Sequence, residues 1–542
     1  MNQNLHHGII YGESDPLFRK SCVIFSDQYC LAPASLLLNS FENIRNEVNT
    51  SADFDILKDL KFNRIIDSNA SQRYHCLAKY NYKIVYEHND VLYKSDATIS
   101  KIFKCRNIWN SFNDILRNFV ARTSANNESN NLHKLLLSSF IIFKMRVKDE
   151  ANLGDNSSSL VIFNDITKSV FKKGPQHHCE KLPMNVIRKL ENIESISTPF
   201  GNECFLNTIN VGRIANIFGD NKCLMVASMP LVNGCEGGAV YNKDKDLIGI
   251  VVSTTFDWNS ENATLTLVAK FNEIMAEFVE QSKLTSINIE NEYNSCNNVK
   301  YINNTKVNCK ASNCVSKDSY KFENFIVLIQ SADSWGSGCF VQINEVRMII
   351  TCAHVLENHD GNVRCTWKFG HFESKIIFKN PHFDQAFDIA ILEAPPNVPE
   401  LYFTKCYTIP TKIGQTVYSS GFPHFTSLGK VHDFFPSIFE GRITKISKGV
   451  IFSDASVQSG QSGGPMFTDD GHLIGITVSN SKDDAYQLIY PNINMSVPVY
   501  EIFPILQQYG KSKDERHLQN LVANKEVKSV WALETPKILC KL

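Results

Sequence analysis

An 18-residue segment occurs twice in this 542-residue chain, at residues 233–250 and again at residues 459–476. The two copies align without a gap at an offset of 226 residues. They share three glycines at the same spacing and contain the same strand-like run, Leu-Ile-Gly-Ile. Upstream of each copy lies a second matching run, Gly-Arg-Ile, at residues 212–214 and 441–443. These repeats predict two tandem domains that share one fold.

The second copy opens on Ser-Gly-Gln-Ser-Gly-Gly-Pro at residues 459–465. On a tight turn, the Ser462 hydroxyl can attack a carbonyl while the N–H groups of Gly460 and Ser462 point at the developing oxyanion. Glycine permits the backbone angles and the close substrate approach that such a turn needs. The run resembles the nucleophile loop of chymotrypsin-fold serine proteases, Gly-x-Ser-Gly-Gly-Pro. The alternative is a surface turn rich in glycine and serine.

Two upstream residues match the partners that this nucleophile needs. The strand-like run Ile-Ile-Thr-Cys-Ala ends at His354, and Asp388 enters the apolar run Ile-Ala-Ile-Leu as the family's buried carboxylate does. Asp384 is a weaker candidate, because no apolar strand follows it directly. Residues 336–338 read Gly-Ser-Gly, as the family's first strand does. The order His354, Asp388, Ser462 is that of chymotrypsin and differs from the order in subtilisins and α/β-hydrolases.

The resemblance implies a role for each residue and a fold for the chain. Ser462 would attack the scissile carbonyl, His354 would take and return the proton, and Asp388 would stabilise the imidazolium. Many short apolar runs punctuated by Gly, Asn and Pro are typical of antiparallel barrels. We therefore expect an all-β chain with two chymotrypsin/Deg-like double β-barrel domains in tandem.

In the first copy, Glu236 occupies the place of the nucleophile Ser462. A further alignment upstream puts Ser35 at the place of the histidine and Ser159 at the place of the aspartate. On that alignment the first half carries a large insertion within about residues 40–150. The N-terminal domain is therefore expected to be a degenerate protease domain that packs, docks or regulates. A new chemistry for Glu236 is the alternative, and nothing nearby in the sequence supports it.

The composition shifts along the chain predict four segments. They are a degenerate domain at 1–281, an Asn-rich linker at 282–320, an active trypsin-like domain at 321–510 and a C-terminal tail at 511–542. We expect the active domain to open with a strand at 325–330 and to close with a helix at 499–509.

The bulk composition excludes several functional classes. The formal net charge is −1, which gives no general attraction to nucleic acid or to an anionic membrane. The first eight residues lack the pattern of a secretory signal peptide, and no run of about 18 apolar residues predicts a membrane span. The 16 cysteines are therefore expected to be reduced thiols. The residue after His354 is Val355, whereas secreted relatives usually carry a cysteine there, so the domain looks more like the Deg/HtrA branch.

No metal or cofactor is expected. Cys309 and Cys314 are too far apart for a zinc-finger pair, and His177-His178-Cys179 is more typical of a solvated loop.

The resemblance also places the substrate pocket. In the family, the residue six positions before the nucleophile lies at the base of the primary specificity pocket, and here it is Ser456. Trypsin has a carboxylate there to hold Lys or Arg. Thr477, Val478 and Ser479 on the following strand would line the same pocket. We expect a small or thiol-bearing P1 residue.

The chain ends in Cys540, Lys541 and Leu542, which differs from the peroxisomal signal Ser-Lys-Leu by a thiol for a hydroxyl. A protease-like half without a nucleophile, a half with a full triad and this tripeptide together resemble the peroxisomal leader peptide-processing proteases, relatives of plant glyoxysomal Deg proteases. The resemblance implies location in the peroxisomal matrix and recognition of the tripeptide by the import receptor. It also implies removal of presequences from imported matrix proteins, processing of some β-oxidation enzymes, self-cleavage and homo-oligomers.

Two other interpretations stay open from the sequence. One is a cytosolic Deg/HtrA-like quality-control protease with an accidental tail. The other is a non-catalytic binding module with a vestigial triad.

Overall fold

The computed structural model describes most of both halves of the chain. The described residues are 5–13, 15–25, 28–37, 60, 65–67, 81–88, 91–112, 134–146, 187–258, 261–293, 322–331, 334–357, 359, 361–381, 387–423, 436–483 and 488–531. The chain divides into two compact units, Met1–Cys314 and Val315–Leu542. Each unit is described by itself below.

The first unit holds two six-stranded antiparallel barrels. Strands of the first barrel are β1 (Leu5–Gly12), β2 (Asp15–Phe25), β3 (Tyr29–Pro33), β5 (Tyr82–His88), β6 (Val91–Lys104) and β7 (Ser139–Met145), with β4 (Ile66–Asp67) added to β6. Strands of the second barrel are β8 (Asn192–Ser197), β9 (Thr208–Phe218), β10 (Leu224–Ser228), β11 (Ala239–Asn242), β12 (Leu247–Trp258) and β13 (Glu261–Lys270).

The second unit holds another two barrels. Strands of the third barrel are β14 (Ile326–Ser331), β15 (Ser334–Ile343), β16 (Val346–Thr351), β17 (Asn362–Trp367), β18 (Gly370–Lys379) and β19 (Ala390–Glu393). Strands of the fourth barrel are β20 (Thr416–Gly421), β21 (Ser437–Ser447), β22 (Val450–Ser453), β23 (Pro465–Phe467), β24 (Leu473–Asp483) and β25 (Leu488–Pro498).

The two units repeat the same strand topology. The ring β1-β2-β3-β7-β6-β5 has the connections of the ring β14-β15-β16-β19-β18-β17. The ring β8-β9-β10-β13-β12-β11 has those of β20-β21-β22-β25-β24-β23. The expected fold class, two double β-barrel domains in tandem, is therefore confirmed.

Apolar side chains fill the interiors of the barrels, because alternate residues of each strand point inward. Ile24, Ile84 and Phe143 lie fully buried in the first barrel, and Val417 and Ile451 lie fully buried in the fourth. Burial of each such side chain contributes about 1.5–3 kcal/mol. The barrels thus form a rigid frame, and the turns between their strands carry the chemistry.

Helices follow the second barrel of each unit. The first spans Phe271–Tyr293, so it continues past the boundary at 281 that the sequence predicted. The other spans Val499–Ser512, where a helix was expected at 499–509. Among the helices that the structure describes, none is long and apolar enough to cross a membrane.

The tail predicted from residue 511 belongs in large part to the second unit. Residues 514–531, here named the C-terminal segment, form a 3₁₀ helix at Glu515–Asn520 and an α-helix at Lys525–Trp531. Leu518, Leu521 and Val527 are buried. The Trp531 indole donates a 2.9 Å hydrogen bond to the Gly449 carbonyl.

Strand register corrects one part of the sequence alignment. Thr351 pairs with Ala390 between β16 and β19, two residues after Asp388. The corresponding pair between β3 and β7 is Ala32 with Ile141. Ser139 therefore occupies the place of Asp388 in the first unit. The alignment that put Ser159 there was wrong, and Ser159 lies outside the described residues, as do residues 294–320 of the expected linker.

Candidate active site

His354 and Asp388 meet where β16 and β19 run side by side. His354 opens a 3₁₀ turn, His354–Leu356, just after β16, and Asp388 lies just before β19. The imidazole Nδ1–H donates to Oδ2 of Asp388, and the His354 backbone N–H donates to Oδ1 at 3.0 Å. Only 2% of Asp388 is exposed. The carboxylate thus fixes both the ring orientation and the tautomer, which leaves Nε2 free to accept a proton.

Ser462 lies on a turn that only glycines can complete. Gly460 and Gly463 have φ angles of 94° and 80°, in the left-handed region. A Cβ on Gly463 would lie 2.3 Å from the Ser337 carbonyl oxygen. The Gly463 N–H donates to the Thr477 carbonyl at 2.8 Å, which ties the turn to β24.

Ser337 anchors the same turn from the third barrel. Its hydroxyl donates to the Gly460 carbonyl at 2.8 Å and accepts from the Phe422 N–H at 2.9 Å. The Trp335 indole donates to the Phe422 carbonyl at 3.0 Å. Sequence reasoning took the Gly-Ser-Gly run only as the mark of a strand and missed this role. Ser21 of the first unit makes the same two bonds, to Gly234 and Thr198.

The Ser462 hydroxyl rests against β24. It donates a 3.1 Å hydrogen bond to the Val478 carbonyl. Rotation about its Cα–Cβ bond is the motion that would turn the hydroxyl toward His354, and catalytic hydrogen bonds are often incomplete without substrate. Within the described residues, no intramolecular acceptor takes the N–H of Gly460 or Ser462. These two donors are therefore available to an oxyanion.

The expected pocket residues have different exposures. Ser456 is partly exposed, and Ser479 is exposed. Val478 is 8% exposed. Thr477 is fully buried, and its hydroxyl lies 3.3 Å from that of Ser419. Its place in the substrate pocket stays a prediction. Sequence reasoning also missed Asn480, whose amide donates to the Val457 carbonyl at 2.9 Å and joins the two walls of this region.

Cys352 lies beside the histidine and the aspartate. One potential ligand atom from each of Cys352, His354 and Asp388 lies within 4.8 Å of the others. The Cys352 thiol donates to the Thr477 carbonyl, and burial, together with the nearby Asp388 charge, raises the pKa of this thiol well above its usual range. A neutral thiol is a poor metal ligand, and the other two groups already bond to each other. This arrangement suits proton transfer better than metal binding.

The matching turn of the first unit has the same backbone and different side chains. Gly234 and Gly237 have φ angles of 95° and 89°. Gly237 donates to Val251 at 2.7 Å, as Gly463 does to Thr477. Ser35 lies in the 3₁₀ turn Ala34–Leu37, at the place of His354.

Glu236 fills the space in front of this first turn. It is 5% exposed, and its carboxylate accepts from the Gly234 N–H at 2.9 Å and from the Thr254 hydroxyl at 2.9 Å. Lys20 Nζ lies 3.0 Å from the same carboxylate. By strand register, Lys20 stands where the second unit has Gly336. The donor that corresponds to Gly460 is thus occupied by the protein's own carboxylate.

A comparison with protein families decides what the second unit is. Residues 336–476 match the model of the trypsin-like peptidase domain, and this range includes His354, Asp388 and Ser462. The second unit is thus similar to trypsin-like peptidase domains over this range. The resemblance to serine endopeptidases that the sequence predicted is confirmed.

Curated relatives extend the comparison to both units. The chain is 25% identical over 377 residues to a human protein named peroxisomal leader peptide-processing protease, and 25% identical over 376 residues to the mouse protein of the same name. Each alignment covers 65% of this chain and 62% of the relative. The resemblance to these proteases is thus confirmed at modest identity.

Among solved structures, a serine endoprotease from Yersinia pestis is 19% identical, with a TM-score of 0.29 over 36% of this chain and 66% of its own.

Proposed function

We propose that the chain is an active serine endopeptidase in which Ser462 is the nucleophile, His354 the general base and Asp388 the orienting carboxylate. The observation that carries the proposal is the pair of hydrogen bonds from His354 to the buried Asp388, beside a serine turn with two available N–H donors. The serine turn of the fourth barrel also contacts the third barrel, which carries the histidine, since the Ser337 N–H donates to the Ser462 carbonyl at 2.8 Å.

The first step is proton transfer from Ser462. When the hydroxyl turns from Val478 toward His354, Nε2 takes its proton as the oxygen attacks the scissile carbonyl. Asp388 holds the Nδ1–H and stabilises the positive charge that the imidazole gains. The imidazolium then returns the proton to the leaving amine, and water hydrolyses the acyl-enzyme by the same route.

The Gly460 turn supplies the second catalytic element. As the carbonyl becomes tetrahedral, its oxygen gains negative charge, and the N–H groups of Gly460 and Ser462 can donate hydrogen bonds to it. Loss of one such donor typically lowers kcat by about 10²–10³. Ser337 contributes indirectly, because its bond to the Gly460 carbonyl fixes the orientation of the turn.

The first unit has no catalytic role in this proposal. Glu236 cannot attack as a hydroxyl does, and its carboxylate already occupies the Gly234 N–H. Ser35 and Ser139 stand at the places of the base and the aspartate, and neither can replace an imidazole or a carboxylate. The unit therefore serves as a structural or regulatory partner of the peptidase unit.

The proposed substrates are peroxisomal matrix proteins that carry N-terminal presequences. Support comes from the names of the human and mouse relatives, which describe peroxisomal leader peptide processing. The tripeptide Cys540, Lys541 and Leu542 is the proposed address that the import receptor reads. A fusion of the last ten residues to a fluorescent protein tests this address. Punctate signal that coincides with a peroxisomal marker supports it, and diffuse cytosolic signal favours the quality-control protease.

An activity-based probe tests the catalytic assignment. A fluorophosphonate should label the wild-type chain covalently at Ser462 and should leave Ser462→Ala unlabelled. We expect Ser462→Ala to lower turnover by roughly a million-fold, as removal of a triad serine does elsewhere. Ser459→Ala is the matched control, since this exposed serine lies on the same turn. Absence of labelling in the wild type would favour a binding module with a vestigial triad.

A further inference from the structure

Asp388 is held in place by backbone that is strained on one side. Phe387, directly before it, has a φ angle of 62°, which a bulky residue rarely adopts. Such strain persists only where neighbouring groups over-determine the conformation. The stabilising group in this structure is Asn380, the first residue after β18.

Asn380 bonds to the backbone on both sides of Asp388. Its side-chain amide donates to the Phe387 carbonyl at 2.9 Å, and its backbone N–H donates to the Ile389 carbonyl at 3.1 Å. Asn380 itself is 3% exposed. The carbonyls of both residues that flank the aspartate are therefore bonded to one buried residue.

The same amide reaches the C-terminal segment. Its nitrogen donates a second hydrogen bond, 3.0 Å long, to the Leu521 carbonyl. Leu521 is fully buried, so this carbonyl is fixed by the packing of the segment. One amide group thus joins the backbone before Asp388 to a segment more than a hundred residues further along the chain.

Lys379, next to Asn380, secures the histidine side of the pair. Its ammonium donates to the carbonyls of Leu356 and His359 at 3.3 and 3.0 Å, at the end of the turn that begins with His354. The end of β18 therefore contacts the backbone near both His354 and Asp388.

We propose that Asn380 is a positioning residue for Asp388 and that it makes the alignment of Asp388 depend on the C-terminal segment. This inference rests on the proposed catalytic role of Asp388. Loss of the amide frees the Phe387 peptide to relax toward an ordinary φ angle and turns the carboxylate away from His354. Because a misplacement of about 1 Å can cost about 100-fold in rate, Asn380→Ala should slow the reaction by roughly 10- to 100-fold.

The test is the second-order rate constant of fluorophosphonate labelling at Ser462 in the full-length chain. Asn380→Ala should lower this rate constant by roughly 10- to 100-fold. Asn380→Ser, which keeps one donor, should recover part of the loss. The control is Ser374→Ala, which removes a 2.7 Å bond from a buried serine to the Glu393 carbonyl on the same two strands. This control should fold and label at nearly the wild-type rate.

A spectroscopic readout separates positioning from general destabilisation. The proton between Nδ1 of His354 and Asp388 should give a far-downfield proton resonance in the wild type. The resonance should move upfield or vanish in Asn380→Ala and stay in place in Ser374→Ala. An Asn380→Ala chain with unchanged labelling and an unchanged resonance would overturn the inference. A wild type that does not label contradicts the proposed function instead.

A double-mutant cycle tests the link to the C-terminal segment. Leu521→Ala loosens the packing that fixes the Leu521 carbonyl, so it should slow labelling in the wild-type background. In the Asn380→Ala background the bond is already absent, and the same change should have a smaller effect. Equal fold-changes in both backgrounds would show that the segment does not act through Asn380.

Discussion

Lys20 Nζ lies 3.0 Å from Oε2 of Glu236, and both side chains are about nine-tenths buried, with exposures of 11% and 7%. The pair takes the place of Gly336 and Ser462 of the second unit. A hydroxyl and a glycine in one unit thus correspond to a buried ion pair in the other. Removal of two charges from water is costly, so the pair persists because its members compensate each other and because Gly234 and Thr254 donate to the carboxylate.

Removal of one member of this pair should destabilise the first unit strongly. Glu236→Ala leaves the Lys20 charge buried without its carboxylate, and we expect a loss of roughly 3–5 kcal/mol in the free energy of unfolding. Calorimetry of the full chain would show the loss as a lower melting temperature for one transition, which assigns that transition to the first unit.

The double variant Lys20→Met/Glu236→Gln is the control for that experiment. It removes both charges and keeps similar volumes, so it should be much closer to the wild type than Glu236→Ala. A Glu236→Ala chain that melts with the wild type would contradict a stabilising role.

Restoration of serine alone, Glu236→Ser, should give no labelling in the first unit, because Ser35 stands where the base belongs.

Asp388→Asn should impair the reaction while leaving the fold intact. The amide can accept the backbone N–H of His354, yet it stabilises the wrong tautomer of the ring and cannot balance an imidazolium. We expect turnover to fall by about 10⁴-fold, as the same change does in a serine protease triad. Peptide hydrolysis is the measurement, and an unchanged circular dichroism spectrum is the control. A loss of less than about tenfold would argue for another orienting residue.

The local parts of the candidate site could be predicted from short stretches of sequence. His354, Asp388 and Ser462 each stand next to an apolar strand or in a glycine turn, so a few consecutive residues reveal them. Glu236 was recognisable for the same reason, since its turn aligns without a gap to the other copy.

Features that depend on pairing of distant residues were not predictable. Ser139 is matched to Asp388 only by strand register. A long insertion separates it from Ser35 in the sequence, and nothing in its neighbouring residues marks it. Lys20 reaches Glu236 from a distant strand, and Ser337 reaches Gly460 from another barrel. Thr477 is buried directly before a β-bulge at Val478, where the β24–β25 register shifts, and a bulge is not visible in the sequence.

The proposed pocket predicts that the P1 specificity can be redirected at one position. Ser456 is partly exposed and carries no charge to hold a basic P1 side chain. We expect the wild type to prefer small or thiol-bearing P1 residues, and Ser456→Asp to gain cleavage after Arg and Lys through a charge-assisted hydrogen bond. Profiling with a peptide library measures both. The control is Ser459→Asp, which adds the same charge on the nearby turn and should not shift the P1 preference. A strong preference of the wild type for P1 Arg would contradict the assignment of the pocket.

His7 should make the first unit less stable in acid. Burial, and to a smaller extent the nearby charge of His6, lowers the pKa of His7 from 6.5 to about 4. Its Nε2 lies 3.1 Å from the Tyr241 hydroxyl, and its Nδ1 is buried without a partner among the described residues, so a second proton has no acceptor there. Because the unfolded chain binds a proton at higher pH than the folded chain, the stabilisation is complete above pH about 6.5 and is lost as the pH falls to about 4.

The measurement is the melting temperature of the first-unit transition between pH 7 and pH 4. The wild type should lose stability steadily across this window, and His7→Gln, which does not titrate, should lose less. His359→Gln is the control, since it removes a histidine from the second unit and should leave the pH dependence of the first-unit transition unchanged. Equal slopes for the wild type and His7→Gln would show that other groups cause the acid sensitivity.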